Sequence, residues 1–377
     1  MRVVRASTSA LLAQFIDLPS ALYANDRNWV PPYRRDVAHT VSRRRNPFFQ
    51  VADIQHFVAF DGAGRPAGRV AACIHPAYNN RFSRRYAFFG FFESIANSGV
   101  AGALLGEVER WADERGMEAV AGPCSYCPTQ DAGLLVEGFN SPPALLQPYN
   151  PPYYDRLIRD AGYEPFLSIA TYSGDVSALR ERTPALLARG DRVLERQGLT
   201  ARTLDMRRLD RERARLLDLF NDAFSQNAEV APVEDEVFRF QTSALQAIVD
   251  PRLIIFIERE GVPLAFALAL PNFNEVLLKH RGRITLPMLL RRKAVLRSIR
   301  SMVIVLVGAR RSAQGLGLSR VVLAELLRNV VAAGYQRFHT TWVDGDNGMM
   351  RAGIQRFGHT QPDKRYAIYR KTISGRA

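Results

Sequence analysis

The chain has 377 residues, of which 47% are hydrophobic and 23% charged, a composition that excludes a disordered or fibrous protein and leaves room for two cores of ordinary size. Lys and Arg number 51 against 37 Asp and Glu, a formal charge of +14, and Lys appears only at Lys279, Lys293, Lys364 and Lys371. Such an arginine excess attracts anions, whether a phosphorylated small molecule, nucleic acid or an anionic membrane face.

In chain order, the segment to Pro19 has Asp17 where a secretory signal would stay apolar, so a cytoplasmic protein is expected. His56 to Ile74 predicts two strands about a Gly-Arg-Pro turn, Tyr86 to Ser94 an apolar strand, and Val100 to Gly116 a helix with a glycine stop. A further strand follows Gly116, and a short helix runs toward Gly162. Two helices, Val176 to Gln197 and Met206 to Asn227, come next. The first series then repeats: a hairpin over Leu253 to Leu270 about Gly-Val-Pro, an apolar strand Ser301 to Ala309, and a helix Leu318 to Gly334. A strand holding His339, a short helix ending at Gly358 and a closing strand, Arg365 to Lys371, complete it. The chain reads as an internal duplication of one α/β unit, with units over 1–175 and 176–377.

The copies differ. Between strand and helix the first has ESIANSGVAGALL, whereas the second has Arg310, Arg311 and then Gly315-Leu316-Gly317. Helix-terminal amides are unsatisfied, and glycines let a phosphate approach them, so the second copy can cradle a pyrophosphate and the first should not. The second copy also carries an extra run, 271–300. Within it, Ile284 to Met302 has the makeup of a basic amphipathic helix, which suits either a bilayer interface or a surface packed on the core. No apolar run reaches 18 residues, so no membrane-spanning helix is expected.

Aromatics interleaved with Pro and Gly recur in the first half, at Asn28 to Tyr33, Asn46 to Phe49, Phe88 to Glu93, Gly133 to Phe139 and Pro148 to Tyr154. They suit either an aromatic core or rigid walls around an apolar channel. Cys124 and Cys127 have metal or redox spacing, but Pro123 and Pro128 bracket them and no second pair follows, so ordinary thiols and no metal site are expected. No nucleic-acid-binding motif stands among the basic residues, and no such partner is expected.

The order from Ser301 to Lys371 resembles the coenzyme A half of the GNAT acyltransferases, whose loop reads Gln/Arg-x-x-Gly-x-Gly/Ala. Gly315 and Gly317 match it; the first position falls on Ser312, with Arg311 one residue early. The resemblance implies acyl-CoA as co-substrate. It would be held by backbone of Leu306 and Val307 and by Arg310, Arg311, Ser312, Gln314, Gly315, Leu316, Gly317 and Leu318, with Asn347 on the next segment. The tyrosine that often serves as general acid falls on Ile354. The implied fold is α/β: two tandem GNAT-like units, each a mixed, mostly antiparallel sheet flanked by helices.

The aromatic phrases, with Gly122-Pro123 and Lys364 to Tyr369, are similar over nearly the whole chain to a bacterial family of tandem GNAT-like proteins that includes the bacterial ceramide synthases. That resemblance implies N-acylation of a lipid-like amine, a sphingoid long-chain base, by a fatty acyl-CoA, and the arginine excess and basic insert suit an anionic membrane surface on the cytoplasmic face as a further partner. A small-molecule N-acetyltransferase and a non-catalytic acyl-CoA-binding protein are the other readings. Direct transfer requires a base and a proton donor. His339 or Asp344, then Glu137, are candidates for the base, and Tyr366 or Tyr369 for the donor.

Overall fold

The structure is a computed structural model and describes residues 1–181, 183–227, 229–344 and 360–373. Its strands are β1 (Arg2–Arg5), β2 (Asp53–Phe60), β3 (Pro66–Ile74), β4 (Tyr86–Ser94), β5 (Ala119–Gly122), β6 (Leu134–Glu137) and β7 (Glu164–Asp175). There follow β8 (Thr200–Thr203), β9 (Ile254–Arg259), β10 (Val262–Pro271), β11 (Ser301–Ala309), β12 (Arg337–Thr340), β13 (Val343–Asp344) and β14 (Gln361–Thr372).

Both hairpins, both apolar strands and both glycine-stopped helices form where the sequence places them, and the α/β, mostly antiparallel architecture is as anticipated. Among the described strands only β4 with β5 and β11 with β12 run parallel. A parallel neighbour needs a crossover, and the helices Ser98–Asp113 and Leu318–Ala333 supply it in the two units. Each helix buries its apolar stripe on the sheet: Val100, Leu104, Leu105, Val108 and Trp111 in one, Val321, Val322, Leu326 and Val330 in the other.

The strands form one sheet in the order β1-β2-β3-β4-β5-β14-β7-β12-β11-β10-β9-β8, with β6 on β14 and β13 on β7. The last strand of each half therefore completes the sheet of the other. β14 lies against β5 of the first unit, from Tyr369↔Gly122 to Thr372↔Ala119, and β7 lies against β12 of the second, from Arg337↔Asp175 to His339↔Ser173. β7 and β14 pair antiparallel along most of their length at the centre. Neither half can close its sheet alone, so the two fold as one body.

Much of the first half's aromatic content is core. Phe15, Phe48, Phe88 and Tyr126 pack on one face of its sheet, and Phe89, Phe92, Tyr154 and Tyr163 on the other. His56 lies among them, against Phe15 and Phe49, with Nε2 2.9 Å from the Tyr126 hydroxyl. Burial, then the charges of Arg69 and Arg43, push its imidazole down from 6.5 to about 3. The unfolded chain thus takes up this proton first. Stability held above pH 6.5 is lost as pH falls toward 3, by about 2 kcal/mol at pH 5. Urea unfolding at pH 7.5 and 5 should show this loss in the wild type and a smaller one in His56→Gln; equal losses would contradict a buried neutral imidazole.

The basic insert differs from the single helix predicted over Ile284 to Met302. It forms two short helices, Leu286–Leu290 and Arg292–Ser298, broken at Arg291 (φ −97°, ψ 24°), and Ser301 and Met302 already belong to β11. Pro287 occupies the first turn, and Ile299 is extended so that the chain can enter the sheet. Met288, Val295 and Leu296 pack on the second unit's core, while Leu286, Leu289 and Leu290 are exposed. The helix Val176 to Gln197 also divides, into Ser177–Arg180 and Thr183–Gln197, with Pro184 opening the second piece.

Candidate active site

The second unit opens where its parallel pair separates. β11 and β12 are partners from Ser301↔Arg337 to Ile304↔Thr340. The Thr341 N–H then reaches Ile304 O at 3.0 Å and its hydroxyl donates to Val305 O at 2.8 Å, after which β13 pairs with β7 instead. β11 continues along β10 to Ala309, with a register shift that leaves Val305 as an extra residue between Ile304 and Leu306. Alternate residues of an antiparallel ladder turn their amides to opposite sides, so one of Leu306 and Val307 presents its N–H and C=O to the opening.

At the far end of β11 the loop is held by acidic neighbours. The Arg310 guanidinium donates to Asp218 and to Pro263 O, and Asp222 accepts from the Arg311 N–H at 2.8 Å. Arg310 is thus spent on fixing the loop, whereas Arg311, Ser312, Gln314, Gly315 and Leu316 are exposed around the opening. Gly315 (φ +83°) and Gly317 (φ +75°) adopt left-handed backbone, and a Cβ at either would meet nothing within 4 Å. Gly317 caps the helix Leu318–Ala333 without a side-chain bond, and the first turn carries Arg320 and no acidic residue. A cation there opposes the helix dipole, an arrangement that a bound anion would offset.

The first unit shows the same place closed. Asn97 caps its crossover helix, with Oδ1 accepting from Val100 N at 3.1 Å. The chain beyond β5 also stays against β4: Cys124 N bonds Phe89 O at 2.9 Å, and a Cβ on Gly90 would lie 1.7 Å from Cys124 O. The wedge and the helix end that are open in one copy are thus filled by protein groups in the other.

His339 faces away from Phe338, which lies in the core under the crossover helix. Its Nδ1 is 3.4 Å from Asp363 Oδ2, and the two side chains are 16% and 15% exposed. With Nδ1–H turned to the carboxylate, Nε2 is left as the acceptor. Burial works against ionising Asp363, but the bond from His339 and the charges of Lys364, His339 and Arg337 hold its carboxyl below the usual range. The Lys364 ammonium is lowered by burial; it donates to Gly138 O, Ser141 O and Ser141 Oγ at 2.8, 2.9 and 2.8 Å. This clamps a first-unit loop beside the pair.

That loop walls the wedge. Gln147 Nε2 donates to Thr340 O at 3.0 Å, Leu145 N donates to Asn272 Oδ1 at 2.9 Å, and Asn274 Nδ2 donates to Pro143 O at 3.0 Å. Leu145 and Leu146 thereby join Val305 and Leu306 in one apolar cluster.

The other sequence candidates are scattered. Tyr369 is buried in the first unit's core with its hydroxyl on Asp155, six residues along β14 from Asp363. Glu137 forms an exposed ion pair with Arg365 at 3.3 Å. Tyr366 is buried, its hydroxyl pushed up by burial and then by Asp363, and has no partner among the described residues. The backbone of Asp344 pairs with Ile169; its side chain, like Asn347 and Ile354, lies outside the described residues. Asp363, Thr341 and Gln147 gave no signal in the sequence and Lys364 entered only as part of the closing phrase, because their places at the site are set by strand pairing and loop docking. No His, Cys, Asp or Glu group able to hold a metal occurs among the described residues.

Burial raises the thiols of Cys73, Cys124 and Cys127. The Cys127 sulfur meets the Thr129 hydroxyl, at 3.0 Å, and the backbone N–H groups of Thr129 and Gln130, none of which is a base. Cys124→Ala/Cys127→Ala should retain turnover within about threefold. Loss of thiol release with an unchanged circular dichroism spectrum would instead show a covalent acyl-enzyme.

The fold is that of a tandem GNAT protein from the clavulanic acid biosynthesis pathway, which superposes with a TM-score of 0.58 at 12% identity over 100% of this chain and 99% of that one. A probable N-acyltransferase from Enterococcus faecalis V583 superposes at 0.53 and 10% identity, over 99% and 72%. The class is thereby defined: two GNAT units fused in tandem. Bacterial ceramide synthase of Caulobacter vibrioides (strain NA1000 / CB15N) is 30% identical over 386 residues, 99% of this chain and 98% of the relative. Protein YghO of Escherichia coli (strain K12) is 30% identical over 370 residues, 96% and 93%. No protein-family model matches the sequence. The chain belongs to the bacterial ceramide synthase family, and is an acyl-CoA-dependent N-acyltransferase.

Proposed function

We propose that the protein moves a long-chain acyl group from acyl-CoA to the amine of a sphingoid long-chain base, forming a ceramide-type amide in the wedge of the second unit. The observation that carries this reading is the apolar wall: Leu145 and Leu146 of the first unit lie with Val305 and Leu306 at the opening, a surface for an alkyl chain rather than for a polar acceptor. The name of the Caulobacter relative points the same way.

In this scheme the pyrophosphate rests on the amides at Leu318 and Ser319, with Arg311 alongside, and an N–H of β11 beyond Val305 polarises the thioester carbonyl. Neutral amine attacks the carbonyl carbon; the C–N bond forms, His339 Nε2 takes the amine proton, and the C–S bond breaks. The thiolate leaves and takes its proton from solvent, to which the imidazolium in turn returns its own. Asp363 holds the imidazole with Nε2 facing the amine. The reaction would occur on the cytoplasmic face of the membrane, where soluble acyl-CoA meets a lipid amine.

The purified chain should be incubated with acetyl-CoA or palmitoyl-CoA, with and without a sphingoid base, following thiol release and product mass. Thiol release should require the base, and palmitoyl-CoA should be favoured by at least about 100-fold in kcat/KM, since each buried methylene is worth about 0.8 kcal/mol. Preference for acetyl-CoA would overturn the substrate reading. Binding of acyl-CoA without turnover on any amine would overturn the enzymatic scheme.

A further inference from the structure

One face of the basic insert is covered by nothing among the described residues. Leu286, Leu289 and Leu290 are 68%, 57% and 79% exposed. They are three of the seven large hydrophobic side chains that stand far into solvent among the described residues, and they fall within five positions. This is a cluster rather than the usual scatter of single exposed side chains. Around it, residues 281–300 contain seven cations and no carboxylate. Arg281, Arg283, Arg291, Lys293 and Arg297 form no ion pair among the described residues.

The turn is nonetheless firmly mounted. Met288, Val295 and Leu296 anchor its helices on the core, and the Arg292 guanidinium donates to Ala247 O and Gln246 O. Gly282 is pressed so close to Pro31 that a Cβ would lie 2.8 Å from the proline Cβ. Apolar tips on a rigid mount, ringed by unpaired cations, match a surface that is apolar within and anionic at its rim. A bilayer with acidic headgroups is such a surface.

The placement along β11 agrees. The insert enters β11 at Ser301, whereas the glycine cradle follows its other end at Ala309, about 30 Å away for nine extended residues. A bilayer on the insert would leave the phosphate end in water. We infer that the Leu286–Leu290 turn and its flanking cations dock the enzyme on an anionic bilayer, with the leucines at the acyl boundary and the cations at the headgroups. This rests on the reading that the acceptor is a lipid amine.

The test is co-sedimentation of the full chain with vesicles of phosphatidylcholine alone or mixed with phosphatidylglycerol. Wild type should partition to the mixed vesicles at least about tenfold better than to the neutral ones, and less as salt rises. Leu286→Ser/Leu289→Ser/Leu290→Ser should lose at least about tenfold in partition, and Arg291→Gln/Lys293→Gln/Arg297→Gln a similar amount with a weaker salt dependence. Both variants should keep the wild-type melting temperature and the wild-type rate of thiol release from palmitoyl-CoA with a short-chain, water-soluble base. Equal binding to both vesicles, or unchanged partition of the leucine variant, would overturn the docking surface. So would a wild-type dimer in ultracentrifugation that the leucine variant loses, which would make a second copy the occupant. Vesicle binding without amide synthesis refutes the substrate reading and leaves the docking surface standing; synthesis without vesicle binding does the reverse.

Discussion

His339→Ala should lower kcat by about 10²- to 10⁴-fold, the usual contribution of a positioned base, with acyl-CoA affinity almost unchanged. The imidazole lies near the point where β11 and β12 part, on the face opposite Phe338, and the cradle is formed by a different stretch of chain. Chemistry and cofactor binding should therefore separate in the kinetics. Asp363→Asn should cost less, about 10- to 100-fold in kcat, because the imidazole remains but its tautomer is no longer fixed. A His339→Ala enzyme with near-normal kcat would remove His339 from the chemistry, and an Asp363→Asn enzyme with wild-type kcat would break its link to Asp363.

Gly317→Asp should weaken acyl-CoA binding by about 100-fold, close to 2.7 kcal/mol. The substitution gives the open helix end a side chain able to occupy its amides, as Asn97 does in the first unit, and adds a negative charge where the pyrophosphate would lie. Left-handed backbone at this position adds about 1–2 kcal/mol of strain, small enough for the fold to persist. Binding is best read by calorimetry with coenzyme A. A control at the other copy, Asn97→Ala, should lower stability by about 1 kcal/mol and leave coenzyme A affinity unaltered. If Gly317→Asp bound coenzyme A as well as the wild type, the cradle would lie elsewhere.

The cofactor end of the site is more legible in the sequence than the catalytic end, and the reason is range. Gly315, Gly317 and the helix that follows are contiguous, and their backbone angles depend on local residue type, so the loop reads directly from the string. His339 and Asp363 are 24 residues apart with β13 and an undescribed stretch between them, and they meet only because β14 lies on β7 and β7 on β12. Tyr369 shows the converse. A tyrosine on the closing strand looks available for proton transfer, yet strand pairing places it beside β5 and Asp155 in the first unit.

Periodicity and turn chemistry marked the two hairpins, the two apolar strands and the two glycine-stopped crossover helices, because hydrophobic alternation and glycine stops act over a few residues. They also marked the difference between the open, glycine-flanked start of one crossover helix and the Asn97-capped start of the other. Which strand closes which half was decided only in three dimensions. The backbone hydrogen bonds of a ladder are the same whichever two strands share it, so β7 and β14 carry no local mark of their exchange. The same holds for the basic insert: its composition fits one amphipathic helix, and only the folded chain shows the break at Arg291, the extended Ile299 that leads into the sheet at Ser301, and three leucines in solvent.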